Sequence, residues 1–189
     1  MNGYDFDDTI YRGNSMRRFS VFCTLRLPYL VLYLPVLLVA FLLRGLRILT
    51  KNAYLLLLEG FVVFVPHVQR FVNKFWDKNM CRIKQWYLDQ RRDDDVVVSA
   101  TPYFVVGEAC RRLGLKCIAT DLSTNCKLRG KHCHGKYKVQ YFREQTGGAE
   151  LNAYYSDSHS DAPMWKYARH GYLVKGDKVT AVYEQGNKI

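Results

Sequence analysis

Asp5 and Asp7 stand two residues apart in the run Tyr4-Asp5-Phe6-Asp7-Asp8-Thr9. A second acidic pair, Asp157 and Asp161, lies in Ser156-Asp157-Ser158-His159-Ser160-Asp161. Between them in the chain, Ser99 and Thr101 follow the apolar run Val96-Val97-Val98. Four carboxylates brought together repel one another unless a cation sits among them. Hard oxygen ligands of this kind, carboxylates with carbonyls and water, suit Mg²⁺. A carboxylate is also a competent nucleophile towards phosphorus. A second one two residues on can protonate a leaving alkoxide and later activate water. A Ser or Thr hydroxyl and a Lys ammonium can balance the charge on a transferring phosphoryl group.

That chemistry requires the three clusters to meet, and the intervening pattern provides for it. Short apolar strands are predicted at residues 4–6, 96–99, 117–120 and 151–155. Helices are predicted from Thr101-Pro102 to Leu113, stopped by Gly114, over 138–145, and from Pro163 to about residue 170. Two closing strands, 172–174 and 179–183, flank the turn Gly176-Asp177. Strands alternating with helices imply a mostly parallel sheet, and such sheets bind ligands beyond the carboxyl ends of their strands. All three polar clusters fall at such ends. Residues 15–90 read as helical throughout, and the i, i+3, i+4 spacing of apolar side chains makes 68–88 one amphipathic helix.

The charge is as uneven as the pattern. Lys and Arg total 28 and Asp and Glu 17, a net of +11. Residues 12–92 hold 14 basic side chains against three acidic ones (Glu59, Asp77, Asp89), and the remainder holds 14 of each, so one segment carries the whole excess. The same segment holds the most apolar runs, which makes a uniformly basic nucleic-acid binder a poor fit, and no nucleic-acid partner is expected. Residues 27–43 carry no charge, near the lower limit for spanning a bilayer. Pro28 and Pro35 interrupt them, and the following apolar stretch, 53–68, contains Glu59. If the residues on either side of the insert share a site, one crossing would separate them. A buried helical insert and a surface-lying amphipathic element are therefore preferred over a transmembrane hairpin. Six cysteines without a CxxC pair read as free thiols in a reducing cytosol. No cationic-then-apolar leader is read at the acidic N-terminus. A cytoplasmic protein is expected, lying at the inner face of a membrane if the insert meets lipid. His132-Cys133-His134 has the wrong spacing for a zinc pair.

The segments together resemble the haloacid-dehalogenase-like (HAD) phosphatases, in particular the phosphoserine-phosphatase-like branch, subfamily IB. Tyr4-Asp5-Phe6-Asp7-Asp8-Thr9 looks like the first motif, hydrophobic-DxD-x-T. Val96-Val97-Val98-Ser99 looks like the second, a strand ending in Ser or Thr. Ile118-Ala119-Thr120 and then Cys133-His134-Gly135-Lys136-Tyr137-Lys138-Val139 look like the run leading to the third-motif lysine. Ser156 to Asp161 is similar to the DSxSD cluster of the fourth. The resemblance covers both ends of the chain in family order. It implies an α/β fold with a HAD-type, Rossmann-like core of mostly parallel sheet, residues 1–14 and 91–189, and an inserted all-helical cap, residues 15–90. It implies an enzyme, a Mg²⁺-dependent hydrolase of phosphate monoesters working through an aspartyl-phosphate. On that likeness Asp5 is nucleophile and metal ligand, and Asp7 is the acid/base, with its carbonyl on the metal. Ser99 holds phosphoryl oxygens, Lys138 neutralises Asp5 and phosphate, Asp157 ligates the metal, and Asp161 supports it directly or through water. Two positions depart from the pattern. Asp8 stands where the family most often has Gly. Lys136 competes with Lys138, which is preferred because Val139 follows it and it begins the predicted helix.

In the family such an insert closes over the site and helps choose the substrate. Arg12, Arg17 and Arg18 could meet a second anionic group or face solvent. An apolar, basic cap is the composition expected for contact with an anionic lipid surface, and the branch includes phosphatidylglycerophosphatase C, which acts on a lipid phosphate. A lipid-linked or amphiphilic phosphate is therefore the expected substrate. A soluble phosphoserine-phosphatase-like enzyme is the alternative, against which the stretch after Thr9 offers no acid to meet a substrate ammonium. A non-catalytic membrane- or phosphate-binding module is the outsider.

Overall fold

The computed structural model describes all residues from Met1 to Ile189. Seven strands form one sheet: β1 Asn2–Tyr4, β2 Val96–Pro102, β3 Lys116–Thr120, β4 Ala153–Ser156, β5 His170–Lys175, β6 Lys178–Glu184 and β7 Asn187–Lys188. Their order is β3-β2-β1-β4-β5-β6-β7. The first five are parallel, and β6 and β7 add an antiparallel edge. β1 is the centre of the arrangement. Tyr4 is level with Val97 of β2 and Tyr155 of β4. The chain order reverses across β1, which opens a crevice at the carboxyl ends of β1, β2 and β4.

Eight α-helices complete the fold: α1 Ser15–Thr24, α2 Leu34–Gly45, α3 Lys51–Glu59, α4 Val68–Asn79, α5 Gln85–Gln90, α6 Tyr103–Leu113, α7 Lys136–Thr146 and α8 Ala162–Tyr167. Local chemistry explains several of their ends. The Asn14 side chain accepts from Arg17 N and starts α1. Gly114, at φ 69°, stops α6 in the left-handed conformation that favours glycine. The core strands β2 and β4 are buried on both faces, which is why Val96-Val97-Val98 shows no alternation.

Two expectations are corrected. Phe6 lies beyond the first strand, in a turn where its N–H meets Asp5 Oδ1 and its carbonyl accepts from Ile10 and Tyr11. Residues 68–88 are two helices, because Ile83 and Lys84 adopt extended conformations. There the chain pairs with the loop after β1: Arg12 N donates to Arg82 O at 2.9 Å and Lys84 N to Ile10 O at 2.8 Å. Non-local hydrogen bonds override the helical spacing.

The helices between β1 and β2 differ in how they are held. α1 and α4 share one apolar cluster with the sheet, in which Phe19, Phe75 and Trp76 pack with Phe6, Val97 and Val105. Trp76 Nε1 donates to Val105 O at 2.8 Å. α2 is different: Ala40 is its one buried residue.

Candidate active site

Asp5 follows the last residue of β1, and its N–H is fixed by Tyr155 O of the neighbouring strand at 2.8 Å. Its Oδ1 lies 2.9 Å from Lys138 Nζ. Lys138 is buried near the start of α7, and its ammonium is 2.6 Å from Asp161 Oδ2 and 3.3 Å from Tyr154 Oη. Tyr154 Oη in turn donates to Val98 O. A lysine can be buried in this way only when paired, and here two carboxylates flank it. Lys136, by contrast, is exposed, so Lys138 is the lysine brought to Asp5. Gly135, at φ 56° and ψ −123°, turns the chain into α7 in a conformation few side chains tolerate.

Asp7 is held at both oxygens. Oδ1 accepts from Ser15 N at 2.7 Å, at the first residue of α1, and Oδ2 accepts from the Thr101 hydroxyl at 2.6 Å. Burial raises its pKa above the usual carboxylate range, against the pull of these hydrogen bonds. Ser99, on β2, is buried, and its Oγ accepts from Thr101 N at 3.2 Å. Asp157 leaves β4 with its N–H on Thr9 Oγ1 at 2.9 Å, and its carbonyl accepts from Lys175 Nζ at 2.6 Å.

Asp161 is held from the side of Lys138. Its Oδ2 accepts from both Lys138 Nζ and Ser156 Oγ, and it does not line the cavity described below. Its contact with Asp5 runs through Lys138. No three His, Cys, Asp or Glu side chains converge as a metal cage anywhere in the chain. What the site offers is two carboxylates at adjacent strand ends, Asp5 and Asp157, both facing the cavity described below. Burial raises the pKa of both, that of Asp5 from 3.8 to about 7 despite Lys138. One buried ammonium, Lys138, is shared by Asp5 and Asp161, so the site keeps a negative excess that fits Mg²⁺, which keeps several waters and asks for one or two carboxylates.

Asp5, Asp7, Ser99 and Asp157 open into a cavity of about 900 Å³. Beyond the acidic floor the walls turn apolar, with Leu30, Leu34 and Leu37 on one side and Leu55, Leu58 and Phe61 on the other. Of the three early arginines, Arg17 alone lines this space; Arg12 reaches Asp177 at 3.4 Å, and Arg18 lies against Gly13.

Several contributors are invisible in the sequence pattern. Lys84, buried where α5 is about to begin, donates to Asp8 O and Gly176 O, both at 2.6 Å, and so ties the loop after β1 to the β5–β6 turn. Thr101 was legible only as a polar strand end; its grip on Asp7 was not. His132 and His134 diverge: His132 Nε2 is 3.1 Å from Glu59 of α3, and His134 Nε2 is 2.7 Å from Lys51 Nζ. These two contacts clamp α3 to the loop before α7. Asp8, at φ 56°, occupies a left-handed position, which is why glycine would be the unstrained residue there.

Comparison with known proteins gives a consistent picture. The family model described as haloacid dehalogenase-like hydrolase matches residues 3–166. A protein of unknown function from Bordetella pertussis Tohama I is similar in structure, with a TM-score of 0.72 at 16% identity over 90% of this chain and 87% of that one. A phosphoserine phosphohydrolase-like protein from Francisella tularensis gives 0.58 at 13% identity, over 90% of this chain and 86% of that one. A HAD family hydrolase from Salmonella enterica serovar Typhi gives 0.56 at 12% identity, over 88% of this chain but 59% of the other. No curated protein matches the sequence. At these identities the structural likenesses speak for the fold alone.

Proposed function

The chain belongs to the haloacid dehalogenase-like hydrolases, and from that premise we propose that it is a Mg²⁺-dependent phosphatase acting on an amphiphilic phosphate monoester through an aspartyl-phosphate. The observation that carries the reading is the pairing of Asp5, on the floor of a cavity that also presents Asp7, with Lys138 buried behind it at 2.9 Å.

Asp5 would attack phosphorus as the ester P–O bond breaks, and the leaving oxygen would take its proton from Asp7. Asp7, its pKa raised by burial, is suited to hold that proton. It would then draw a proton from water, which attacks phosphorus, breaks the P–O bond to Asp5 and frees phosphate. Lys138 and Ser99 would balance and orient the phosphoryl oxygens. Asp5, Asp157 and the Asp7 carbonyl would hold Mg²⁺, which supplies charge neutralisation at the phosphoryl group. Asp161 would keep Lys138 in place.

The apolar walls favour a substrate with a hydrocarbon portion. Of the two acids that line the cavity outside the proposed catalytic set, Glu59 is engaged by His132, which leaves Asp8, beside the floor, as the one acid to meet a substrate ammonium. The test is hydrolysis of an aryl phosphate with Mg²⁺ and with chelator, followed by a panel of phosphoserine, sugar phosphates and lipid phosphates. The expected result is Mg²⁺-dependent turnover that is fastest on an amphiphile. No turnover of any member would sink the reading; a preference for phosphoserine would remove its amphiphilic part.

A further inference from the structure

The segment 28–48 is exposed in a way a water-soluble surface does not explain. Leu32, Leu38, Phe41, Leu46 and Ile48 are each more than 60% exposed. The span Pro28–Gly45 has a mean hydropathy of 1.8 and is only 11% buried. Soluble proteins rarely present contiguous apolar surface on this scale unless something covers it.

We propose that this segment docks the enzyme on an anionic phospholipid bilayer, lying in the interface without crossing it. Charge selects the partner. From Thr9 to Leu58 the chain has no acidic residue and seven basic ones: Arg12, Arg17, Arg18, Arg26, Arg44, Arg47 and Lys51. Three of these, Arg26, Arg44 and Arg47, lie exposed at the ends of the apolar span, where lipid phosphates would neutralise them. A second copy of the chain would bring the same positive charges face to face. A protein partner would cover one side of α2, whereas apolar side chains emerge nearly all round it. A bilayer interface can cover its whole outward surface, both flanks at once.

The tethers at its two ends decide how it lies. Before it, α1 is anchored in the core through Phe19, Phe22 and Cys23. After it, α3 is clamped to the loop before α7 by Lys51 to His134 and by Glu59 to His132. Both ends are therefore held on the catalytic side, so a single crossing is excluded, and α3 cannot serve as a return crossing. The inner side of the same segment, at Leu30, Tyr33, Leu34 and Leu37, walls the cavity above Asp5. Docking would thus set the cavity against the lipid surface. This last consequence rests on the phosphatase reading; the docking surface does not.

Co-sedimentation with phosphatidylcholine vesicles, with and without phosphatidylglycerol, tests the proposal. The comparison is between wild type and Leu38→Glu/Phe41→Glu/Leu46→Glu, whose side chains lie outside the catalytic cavity. Wild type should pellet with the phosphatidylglycerol vesicles and be released by salt. The triple variant should bind at least tenfold more weakly while hydrolysing a soluble aryl phosphate at the wild-type rate. Wild type left in the supernatant of both vesicle types, or a variant that binds as wild type does, overturns the proposal. Equal binding to neutral vesicles overturns the anionic choice. A vesicle-indifferent dimer that the variant dissolves would assign the face to a second copy instead. Vesicle binding by a protein inert on every phosphate would sink the phosphatase reading and leave this one standing.

Discussion

The Thr101 hydroxyl donates to Asp7 Oδ2 at 2.6 Å, across 94 residues of sequence. With Ser15 N on the other oxygen, it fixes the plane of the carboxyl group proposed to move protons. Thr101→Val removes that contact at nearly constant volume. Turnover should fall by about tenfold to a hundredfold through misalignment, with KM little changed. A variant with unaltered turnover would show that Asp7 needs no such support.

Lys138 is buried between Asp5 and Asp161. Lys138→Met would leave two carboxylates without their shared cation, a change that costs about 3–5 kcal/mol in buried pairs. Thermal unfolding should show a large loss of stability, and Asp161→Asn a smaller one that also slows hydrolysis. A Lys138→Met protein as stable as wild type would contradict the pairing.

Asp8 sits at φ 56° with its carbonyl held by Lys84. Asp8→Gly would relieve backbone strain but loosen the unfolded chain, two effects of about 1 kcal/mol each that oppose one another. Stability and turnover should both stay close to wild type. A β-branched residue is far less suited to this conformation, so Asp8→Val should lower the melting temperature. A tolerated valine would mean the loop is not held as described.

Burial raises the pKa of Asp5, Asp7 and Asp157. A buried acid with a raised pKa keeps protons in the folded state that the unfolded chain has already released. For Asp5 this holds between 3.8 and about 7, so metal-free stability should fall as pH rises through that interval. Mg²⁺ needs deprotonated oxygens and competes with those protons. Melting curves should therefore show a larger Mg²⁺-induced rise at mildly alkaline than at mildly acidic pH. An equal rise at both, or a larger one in acid, would argue against a carboxylate metal site.

The comparison of sequence with structure has a physical pattern. Strand ends were legible because Val96-Val97-Val98 and the acidic turns after β1 and β4 are local signals. The β5–β6 hairpin was legible from Gly176-Asp177 for the same reason. The break at Ile83-Lys84 was not, since it arises from hydrogen bonds to Ile10 and Arg12, about 70 residues away. The pairings of Glu59 with His132 and of Lys84 with Asp8 O were hidden likewise, because one isolated charge in a helical pattern does not reveal its distant partner. Asp161 shows the converse: its motif was recognisable, but its engagement with Lys138 and Ser156 depended on side-chain directions that spacing does not encode.

The central claim is that Asp5 itself becomes phosphorylated. Acid quenching during turnover of a radiolabelled aryl phosphate, then borohydride reduction and peptide mapping, tests this most directly, since reduction converts an aspartyl-phosphate to homoserine. The account predicts Mg²⁺-dependent label on the protein, homoserine at position 5, and neither label nor turnover in Asp5→Asn. Turnover with no protein-bound phosphate, or with the label on another residue, would contradict it.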